Sequence, residues 1–235
     1  MVIVSAGGVS VDESVADAVL WQPYGGQAAG DGLASVLYGD SIPSARLPLT
    51  FYYQAWADKM AGNVSTSILA FDLEVGEGRT HRYLKNRSLA QHHFGFGLSY
   101  GRFAYSGLGA TKAGNGSLIA TVTVKRTDTA GHIRSAAEIV QLYLSGATLP
   151  GQATPRHNLV AFARIELAPA GIGRSSTQTV RLEVLAAGME TAMVDGTRKV
   201  VAGQYTLSAG GHQPGYKEGG AGSSGPCVSV LVQLG

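Results

Sequence analysis

The sequence contains a single cysteine, Cys227, so no disulfide can form within the chain and no cysteine-rich metal site is available. It also lacks long hydrophobic runs, since stretches such as 18–21 and 228–232 fall far short of the roughly 20 apolar residues that cross a bilayer. The apolar start, Met1 to Ser5, has no basic residues before it, and we expect no signal peptide in this chain. Only 14% of the residues are charged, and both signs are dispersed. We therefore expect neither a membrane nor a nucleic acid as partner.

The 235 residues, 45% of them hydrophobic, are enough for one large domain or two small ones. Short apolar runs at Val2 to Ser5 and Ala18 to Trp21 predict buried strands. Between Gln27 and Tyr38 apolar residues recur at helical spacing, and Gly39 follows as a helix-stop signal. Residues 46–51 are predicted to form a further extended segment. The first half-hundred residues therefore predict a partial β-α-β layer.

Residues 53–100 show no sustained period, and we interpret them as a long ordered connector. From residue 101 the pattern changes to period two, with turn-forming residues between the runs. This indicates an antiparallel β-sandwich of the immunoglobulin or fibronectin type III class. The predicted strands lie at Leu118 to Val124, Glu138 to Leu144, Asn158 to Leu167, Thr177 to Val184, Gln204 to Ser208 and Cys227 to Leu234, and the Gly- and Ser-rich stretch 210–226 is predicted to be a hairpin excursion. The predicted domains are 1–52, 53–100 and 101–235, and the predicted fold class is mixed α+β.

Several segments carry a resemblance to a known family, in the family's order. The span from Ala18-Val-Leu-Trp-Gln-Pro-Tyr-Gly-Gly-Gln27 to Pro43-Ser-Ala-Arg-Leu-Pro48 resembles a long motif of the family 3 glycoside hydrolases. Gly78-Arg-Thr-His-Arg-Tyr83 looks like that family's Gly-Arg-Thr-Tyr-Arg-Tyr segment, and Phe94-Gly-Phe-Gly-Leu-Ser-Tyr100 looks like its Phe-Gly-Tyr-Gly-Leu-Ser-Tyr signature. Further on, Val140-Gln-Leu-Tyr-Leu144 resembles the fibronectin type III-like domain that follows in many members. Departures include the position of Pro23, and His93 where a proline normally stands.

The resemblance implies a TIM-type barrel, then an α/β sandwich domain, then the fibronectin-like domain, as in β-xylosidases and β-glucosidases. Residues 1–52 would be the C-terminal remnant of the α/β sandwich, and the barrel would be missing. Retaining glycosidases need two carboxyl groups about 5 to 5.5 Å apart. The resemblance implies that neither of them lies in this chain, so we expect the chain alone to be inactive and predict no catalytic residue in it. A remnant of this kind would also expose faces that the full sheet covers.

Two groups of residues are candidates for roles at the site. Trp21, Tyr24 and Gln27 follow a strand end, the edge at which open α/β sheets bind ligands, and an aromatic face with an amide suits a sugar. The alternative is that they only pack and begin the helix. Arg79, Arg82 and Tyr83 are candidates for interdomain packing, either with acids of the barrel or in local surface contacts.

Other groups favour ordinary structural roles. The acids Asp72, Glu74 and Glu77 are interpreted as a solvated face of the connector. Adjacent His92 and His93 point different ways on most backbones, and no third ligand is spaced to join them, so we predict no metal. The glycines after Ser5 lack a phosphate-loop fingerprint, and we predict no cofactor.

Asn63, Asn86 and Asn115 each begin a glycosylation sequon, and they are glycosylation candidates in a secreted glycoprotein. If full length, the protein would be extracellular or in the cell wall. The leading function is the C-terminal part of a glycosidase that releases terminal β-linked xylose, glucose or arabinose, as in xylan catabolism. Two alternatives stay open: a non-catalytic β-sandwich module that binds carbohydrate or protein, and a truncated gene model.

Overall fold

The computed structural model describes residues 2–5, 12–61, 72–128, 134–146, 149, 154–169, 175–216 and 224–235. Its N-terminal elements are β1 (Val2–Ser5), β2 (Ala18–Trp21), helix α1 (Ala29–Leu37), β3 (Phe51–Tyr52), helix α2 (Gln54–Ala61), helix α3 (Thr80–Tyr83) and β4 (Ala90–His92). The sandwich elements are β5 (Phe103–Lys112), β6 (Leu118–Arg126), β7 (Ala136–Ser145), β8 (Asn158–Leu167), β9 (Thr177–Val184), helix α4 (Ala186–Met189), β10 (Thr191–Ala192), β11 (Arg198–Lys199), β12 (Gly203–Gly210) and β13 (Val228–Leu234). None of the helices in these ranges has the length and hydrophobicity needed to cross a membrane.

The second half is the predicted antiparallel sandwich. One sheet has the strand order β5-β6-β9 and the other has the order β13-β12-β7-β8. Alternate residues of β6 point inward, and Val122 meets Leu142 of β7 and Leu207 of β12 in one fully buried core. Apolar burial on this scale is the main stabilising term of the domain. The predicted fold class is confirmed, and the predicted bounds of β8 and β9 agree with the structure.

The first half is smaller than a free-standing α/β layer. The strands β1 and β2 pair in parallel, and α1 follows β2. The prediction that both strands are buried was wrong, because β2 has no fully buried residue and Val4 of β1 is 44% exposed. Parallel strands are buried when helices cover both faces of a wider sheet, and the described residues supply only two strands and one helix here.

The connector contains more regular structure than its sequence indicated. Helices α2 and α3 lie within it, and β4 pairs with β3. The extended segment predicted at residues 46–51 is also only partly a strand, since β3 begins at Phe51. Leu47 instead exchanges two backbone hydrogen bonds with the Gly95–Phe96 turn, of 2.8 Å each. Each pairing joins residues far apart in the sequence, so local periodicity does not reveal it.

The connector covers the face of the four-stranded sheet that points away from the core, which we call the outer face. Gln141 and Tyr143 of β7 lie on this face and are buried. The Gln141 side-chain amide donates to the carbonyl of Gly95 at 3.1 Å and to that of Gly211 at 2.9 Å, and the Tyr143 hydroxyl donates to Gln141 Oε1 at 2.6 Å. Strand β7 is therefore buried on both faces, between the core and the connector.

A buried ion pair joins the three parts of the chain. Arg46 Nη2 lies 2.8 Å and 3.0 Å from the two carboxylate oxygens of Glu138, and their side chains are 5% and 0% exposed. Arg46 Nη1 also donates to the carbonyl of Gly97 at 2.5 Å, and Ser224 Oγ donates to Glu138 Oε2 at 2.7 Å. We call this set of contacts the clasp. It ties the segment before β3 and the end of the connector to the sandwich.

Gly95 tests how tightly the connector fits the outer face. Its φ is +79°, and a Cβ there would lie 2.2 Å from Gln141 Oε1 and 2.9 Å from the Tyr143 hydroxyl. We predict that Gly95→Ala destabilises the protein by about 2–4 kcal/mol, measured by urea unfolding, through backbone strain and overlap. Gly32→Ala is the matched control, because nothing lies within 4 Å of the added methyl group in α1. That substitution should be neutral or stabilise by about 0.5–1 kcal/mol. Equal effects of the two substitutions would contradict the close fit.

Candidate functional site

The candidate sugar-binding edge lies where β2 ends. Trp21 is the last residue of the strand, and its ring packs edge-on against Phe51 of β3, with centroids 6.1 Å apart and planes at 73°. The next side chain, Gln22, donates from Nε2 to the carbonyl of Ala29 at 2.7 Å. This hydrogen bond joins the strand end to the first residue of α1. The loop between β2 and α1 is therefore closed by a hydrogen bond between its own two ends.

Within this loop Gly25 permits a close approach, and Tyr24 and Gln27 face outward. A Cβ on Gly25 would lie 2.6 Å from the Cβ of Ala29, so the loop is tight at that point. Tyr24 is 89% exposed, and Gln27 is exposed as well. Trp21 thus packs within the protein, while Tyr24 and Gln27 are open to a ligand. The sugar-binding role of these three residues stays a prediction.

The Gly78–Tyr83 segment has an unusual backbone. Thr80 has a φ of +62°, which residues with side chains rarely adopt, and its amide donates to the Tyr52 hydroxyl at 2.7 Å. Burial raises the pKa of Tyr52, and the hydrogen bond from Thr80 opposes part of this shift. A Cβ on Gly78 would lie 2.2 Å from the carbonyl oxygen of Tyr83, so a glycine is needed there. Sequence reasoning did not single out Thr80, whose conformation leaves no signal in the residue pattern.

The three packing candidates make contacts within the chain. Arg79 Nη2 donates to the backbone carbonyl of Asp72 at 2.8 Å. Arg82 Nε donates to Asn158 Oδ1, the first side chain of β8, at 3.0 Å, and its guanidinium lies 5.4 Å from the centre of the Tyr83 ring. Arg82 therefore joins the connector to the sandwich. A role of these residues toward a barrel domain stays a prediction.

The acidic cluster of the connector is built as a turn. Asp72 Oδ1 accepts a hydrogen bond from the amide of Glu74 at 2.9 Å. Lys85 Nζ donates to the carbonyls of Glu74 and Gly76 at 3.3 Å and 2.6 Å, and the Lys85 amide donates to the carbonyl of Glu77 at 2.7 Å. Asp72 and Glu77 are exposed. These contacts fit a solvated surface loop.

The adjacent histidines take different surroundings. His92 Nε2 lies 2.5 Å from Glu13 Oε1, whereas the ring of His93 is buried and stacks on Tyr216. Across the ranges that the structure describes, no group of three His, Cys, Asp or Glu side chains is arranged to hold a metal ion.

Sequence reasoning missed the ion pair that joins the first half of the chain to the sandwich. Arg46 was noted only as part of the Pro43–Pro48 segment, and Glu138 only as the start of a predicted strand. A charged residue at the start of the apolar run 138–144 was a usable signal, because buried charges are almost always paired. Its partner could not be identified from spacing, since the two residues lie 92 positions apart.

Comparisons with known proteins agree with this architecture. Residues 1–100 match the glycosyl hydrolase family 3 C-terminal domain, and residues 138–213 match a fibronectin type III-like domain. A probable beta-glucosidase L of Aspergillus fumigatus is 31% identical over 182 residues, which cover 71% of this chain and 24% of that protein. The exo-1,4-beta-xylosidase bxlB of Emericella nidulans is 29% identical over 228 residues, which cover 88% of this chain and 28% of that protein.

A solved structure gives the same fold. The crystal structure of the GH3 beta-glucosidase of Bifidobacterium adolescentis matches with a TM-score of 0.71 at 24% identity, over 99% of this chain and 32% of that one. The chain thus spans 24% and 28% of the length of the two curated relatives described above. The predicted resemblance is confirmed. Residues 1–100 belong to the C-terminal domain family of the family 3 glycosyl hydrolases, and residues 138–213 belong to the fibronectin type III-like domain family.

Proposed function

We propose that this chain is the C-terminal scaffold of a glycosidase that releases terminal β-linked xylose, glucose or arabinose from oligo- or polysaccharides. The reaction is a retaining one with two carboxylates, and both come from outside this chain. Family membership supports glycoside hydrolysis as the reaction class. The names of the relatives include both beta-glucosidase and xylosidase, and this supports glucose and xylose among the proposed sugars.

One observation carries the proposal: the segments that resemble the family are used here to hold the chain together. Arg46, from the Pro43–Pro48 segment, donates hydrogen bonds to the carbonyl of Gly97 in the Phe94–Tyr100 segment and to the carboxylate of Glu138 in β7. Leu47 and Gly95, from the same two segments, are joined by backbone hydrogen bonds. Residues that make such contacts can hold the elements beside a neighbouring active site in place.

Glu138 and Asp128, whose side chains are 0% and 7% exposed, are held in ion pairs and are not available for catalysis. Glu138 is paired with Arg46, and Asp128 with Arg126, at 2.8 Å and 2.7 Å. Burial alone would raise the pKa of Asp128, but hydrogen bonds from Arg126 and Arg102 outweigh it and lower the pKa. A retaining mechanism needs two carboxyl groups free to face the sugar. These two acids are structural in our proposal.

The surfaces proposed to bind the substrate and the barrel domain lie on the first half of the chain. Tyr24 and Gln27 are open to a sugar at the carboxyl end of β2, where α/β sheets commonly bind ligands. Val4, Leu37 and Tyr38 are exposed around the two-stranded sheet and α1, and they form a surface that a barrel domain would cover. The oligosaccharide would then lie between the two.

Secretion and glycosylation are part of the proposal. Asn86 and Asn115 are exposed, and each uses its side-chain oxygen to accept from the amide two residues later, at 3.1 Å in both cases. The amide nitrogen of each side chain is not needed for that turn. Asn63 lies outside the described residues. A glycan on Asn86 or Asn115 would not disturb the core, which suits a protein placed outside the cell or in the cell wall.

A second candidate is a non-catalytic module in which the sandwich itself binds carbohydrate or protein. The observation that favours it is Phe162 of β8, which is 68% exposed on an edge strand of the four-stranded sheet. An exposed aromatic ring is a common sugar-stacking surface. The two candidates place the ligand on different halves of the chain and can be separated by substitution.

We predict that the purified chain releases no nitrophenol from aryl β-xylosides, β-glucosides or α-arabinofuranosides. The physical reason is that the carboxyl pair required for glycoside hydrolysis is not supplied by this chain. Circular dichroism of the same sample verifies that it is folded. Turnover that is abolished by Asp72→Asn or Glu77→Gln would contradict the proposal, since it would place a catalytic acid in the connector.

Binding of xylobiose and cellobiose, followed by ligand-observed NMR, distinguishes the two candidates. We expect Tyr24→Ala to weaken binding by about threefold to tenfold, as expected for the loss of one stacking ring. Phe162→Ala is the matched control, because it removes an exposed ring from the other half of the chain. Weakening by Phe162→Ala, with Tyr24→Ala silent, would favour the binding module instead.

A further inference from the structure

Histidine side chains meet where the connector packs against the sandwich. His81 and His93 come from the connector, His157 precedes β8, and His212 follows β12. We call these four residues the histidine cluster. Each ring lies among aromatic or cationic groups of the other elements.

His93 is packed as a neutral aromatic ring. It is 8% exposed, and it stacks on Tyr216 with centroids 4.0 Å apart and planes at 14°. The rings of Phe96 and His212 lie edge-on to it, at 5.5 Å and 6.1 Å. Its Nε2 atom is buried and has no hydrogen-bond partner. In the charged imidazolium both ring nitrogens carry protons, so Nε2–H would be a buried donor of a cation with no acceptor.

The contacts of His157 specify its neutral form. Nε2 lies 3.0 Å from Arg87 Nη2, and Nδ1 lies 2.8 Å from the hydroxyl of Ser145. Because a guanidinium can only donate, Nε2 must accept, and Nδ1 carries the single proton and donates to Ser145. Protonation of Nε2 would remove the acceptor and place two cations in contact. The Arg87 guanidinium also lies 5.1 Å from the centre of the Tyr216 ring, so this arginine contacts both His157 and the tyrosine on which His93 stacks.

His81 anchors the other end of the contact. Its ring stacks on Phe94 with centroids 4.1 Å apart, and its carbonyl accepts a hydrogen bond from Gln213 Nε2 at 3.2 Å. Gln213 belongs to the segment between β12 and β13, whose described residues 211–216 pack against the connector. Two sandwich loops therefore hold the connector, one through His157 and the other through residues 211–216.

The charged groups facing these rings are cationic in the contacts seen. Arg82 lies beside His81, Arg87 beside His93, and both Arg87 and Arg156 beside His157. Neighbouring imidazoles add positive charge only when protonated, and they are His92 and His212 around His93 and His81 around His157. Burial and these cations lower the pKa of His93 to about 3, and those of His81 and His157 to about 4. The neighbouring acid Glu13 is bonded to His92 instead, and the Cys227 thiol contacts His212.

We propose that the histidine cluster is an acid-sensitive latch, which releases the connector from the outer face of the sandwich in mild acid while the sandwich core stays folded. The latched state requires uncharged His81, His93 and His157. The released state exposes these imidazoles to water, where they protonate readily.

The direction of the pH dependence follows from proton linkage. Released imidazoles titrate near pH ~6.5, above the lowered pKa values of the latched state, so the released state binds more protons between these limits. The latch is therefore fully stable above about pH 6.5 and weakens as the pH falls toward about 4. Each histidine changes the latching constant by up to about tenfold per pH unit in this window.

Hydrogen exchange at stepped pH, corrected for the intrinsic exchange rate, tests the proposal on the intact chain. We expect the protection of the Arg156 amide, which joins the sandwich to the connector by donating to the carbonyl of Arg82 at 2.7 Å, to fall at least about tenfold between roughly pH 6.5 and 4.5. Val122 and Leu142, in the sandwich core, should stay protected. Constant protection of the Arg156 amide across this range would overturn the latch.

The double variant His93→Phe and His157→Gln removes two of the three titrating groups but keeps the stacking ring and the acceptor toward Arg87. We expect its loss of protection over the same pH range to be at least about tenfold smaller. His92→Gln is the matched control and should respond to acid as the unsubstituted chain does, because His92 contacts Glu13 and is not one of the three rings that the latch requires to be uncharged. An unchanged acid response in the double variant would overturn the proposal and assign the response to carboxylates such as Glu138.

If the double variant does not fold, NMR titration of the imidazole protons in the unsubstituted chain decides. The proposal requires His93 and His157 to stay neutral until the connector is released. Titration of either ring near pH ~6.5 while the Arg156 amide remains protected would overturn it.

Discussion

The buried pair of Arg46 and Glu138 is the contact on which the rest of this structure depends. Both side chains are almost completely removed from water, which costs several kcal/mol per charge unless each is paired and hydrogen-bonded. Here the carboxylate has Arg46, Ser224 and the amide of Ile139, and the guanidinium has Glu138 and the carbonyl of Gly97. The charges are therefore stable only when three distant parts of the chain are assembled together.

This dependence explains how a small α/β portion can persist beside a large sandwich. The described helix α1 and strand β2 have no fully buried residue, so they lack a core of their own. The sandwich has a continuous core, and the connector rests on its outer face through Gln141, Tyr143 and the clasp. Contacts with the sandwich therefore stabilise the first half of the chain. A site at the end of β2 is held in place by contacts made elsewhere.

The same contacts show which features the sequence could and could not reveal. Strands β8 and β9 were predicted with their observed bounds, because burial of alternate side chains gives the local sequence a hydrophobic period of two. Strand β5 was missed, since Gly107 has a positive φ and the β5–β6 register shifts between Ser106 and Gly109, which breaks the alternation. Helix α2 was missed because a short surface helix carries only a weak period.

At the candidate site the limits of sequence reasoning are of a different kind. The loop after β2 was correctly placed between a strand end and a helix, since strand and helix periods meet there. The clasp and the histidine cluster were not predicted, because they join residues that only tertiary folding brings together. His93 was noted as a departure from the family's pattern, but its stacking on Tyr216 lies beyond any local rule.

A double-mutant cycle on the clasp tests this account most directly, with Arg46→Met, Glu138→Leu and the combined variant compared by urea unfolding. Each single substitution leaves one buried charge unpaired, and we predict a cost of about 3–5 kcal/mol for each. The combined variant should cost at least about 2 kcal/mol less than the sum, because neither charge is left behind. Additive costs, or single substitutions that change stability by less than about 1 kcal/mol, would contradict the central role of this pair.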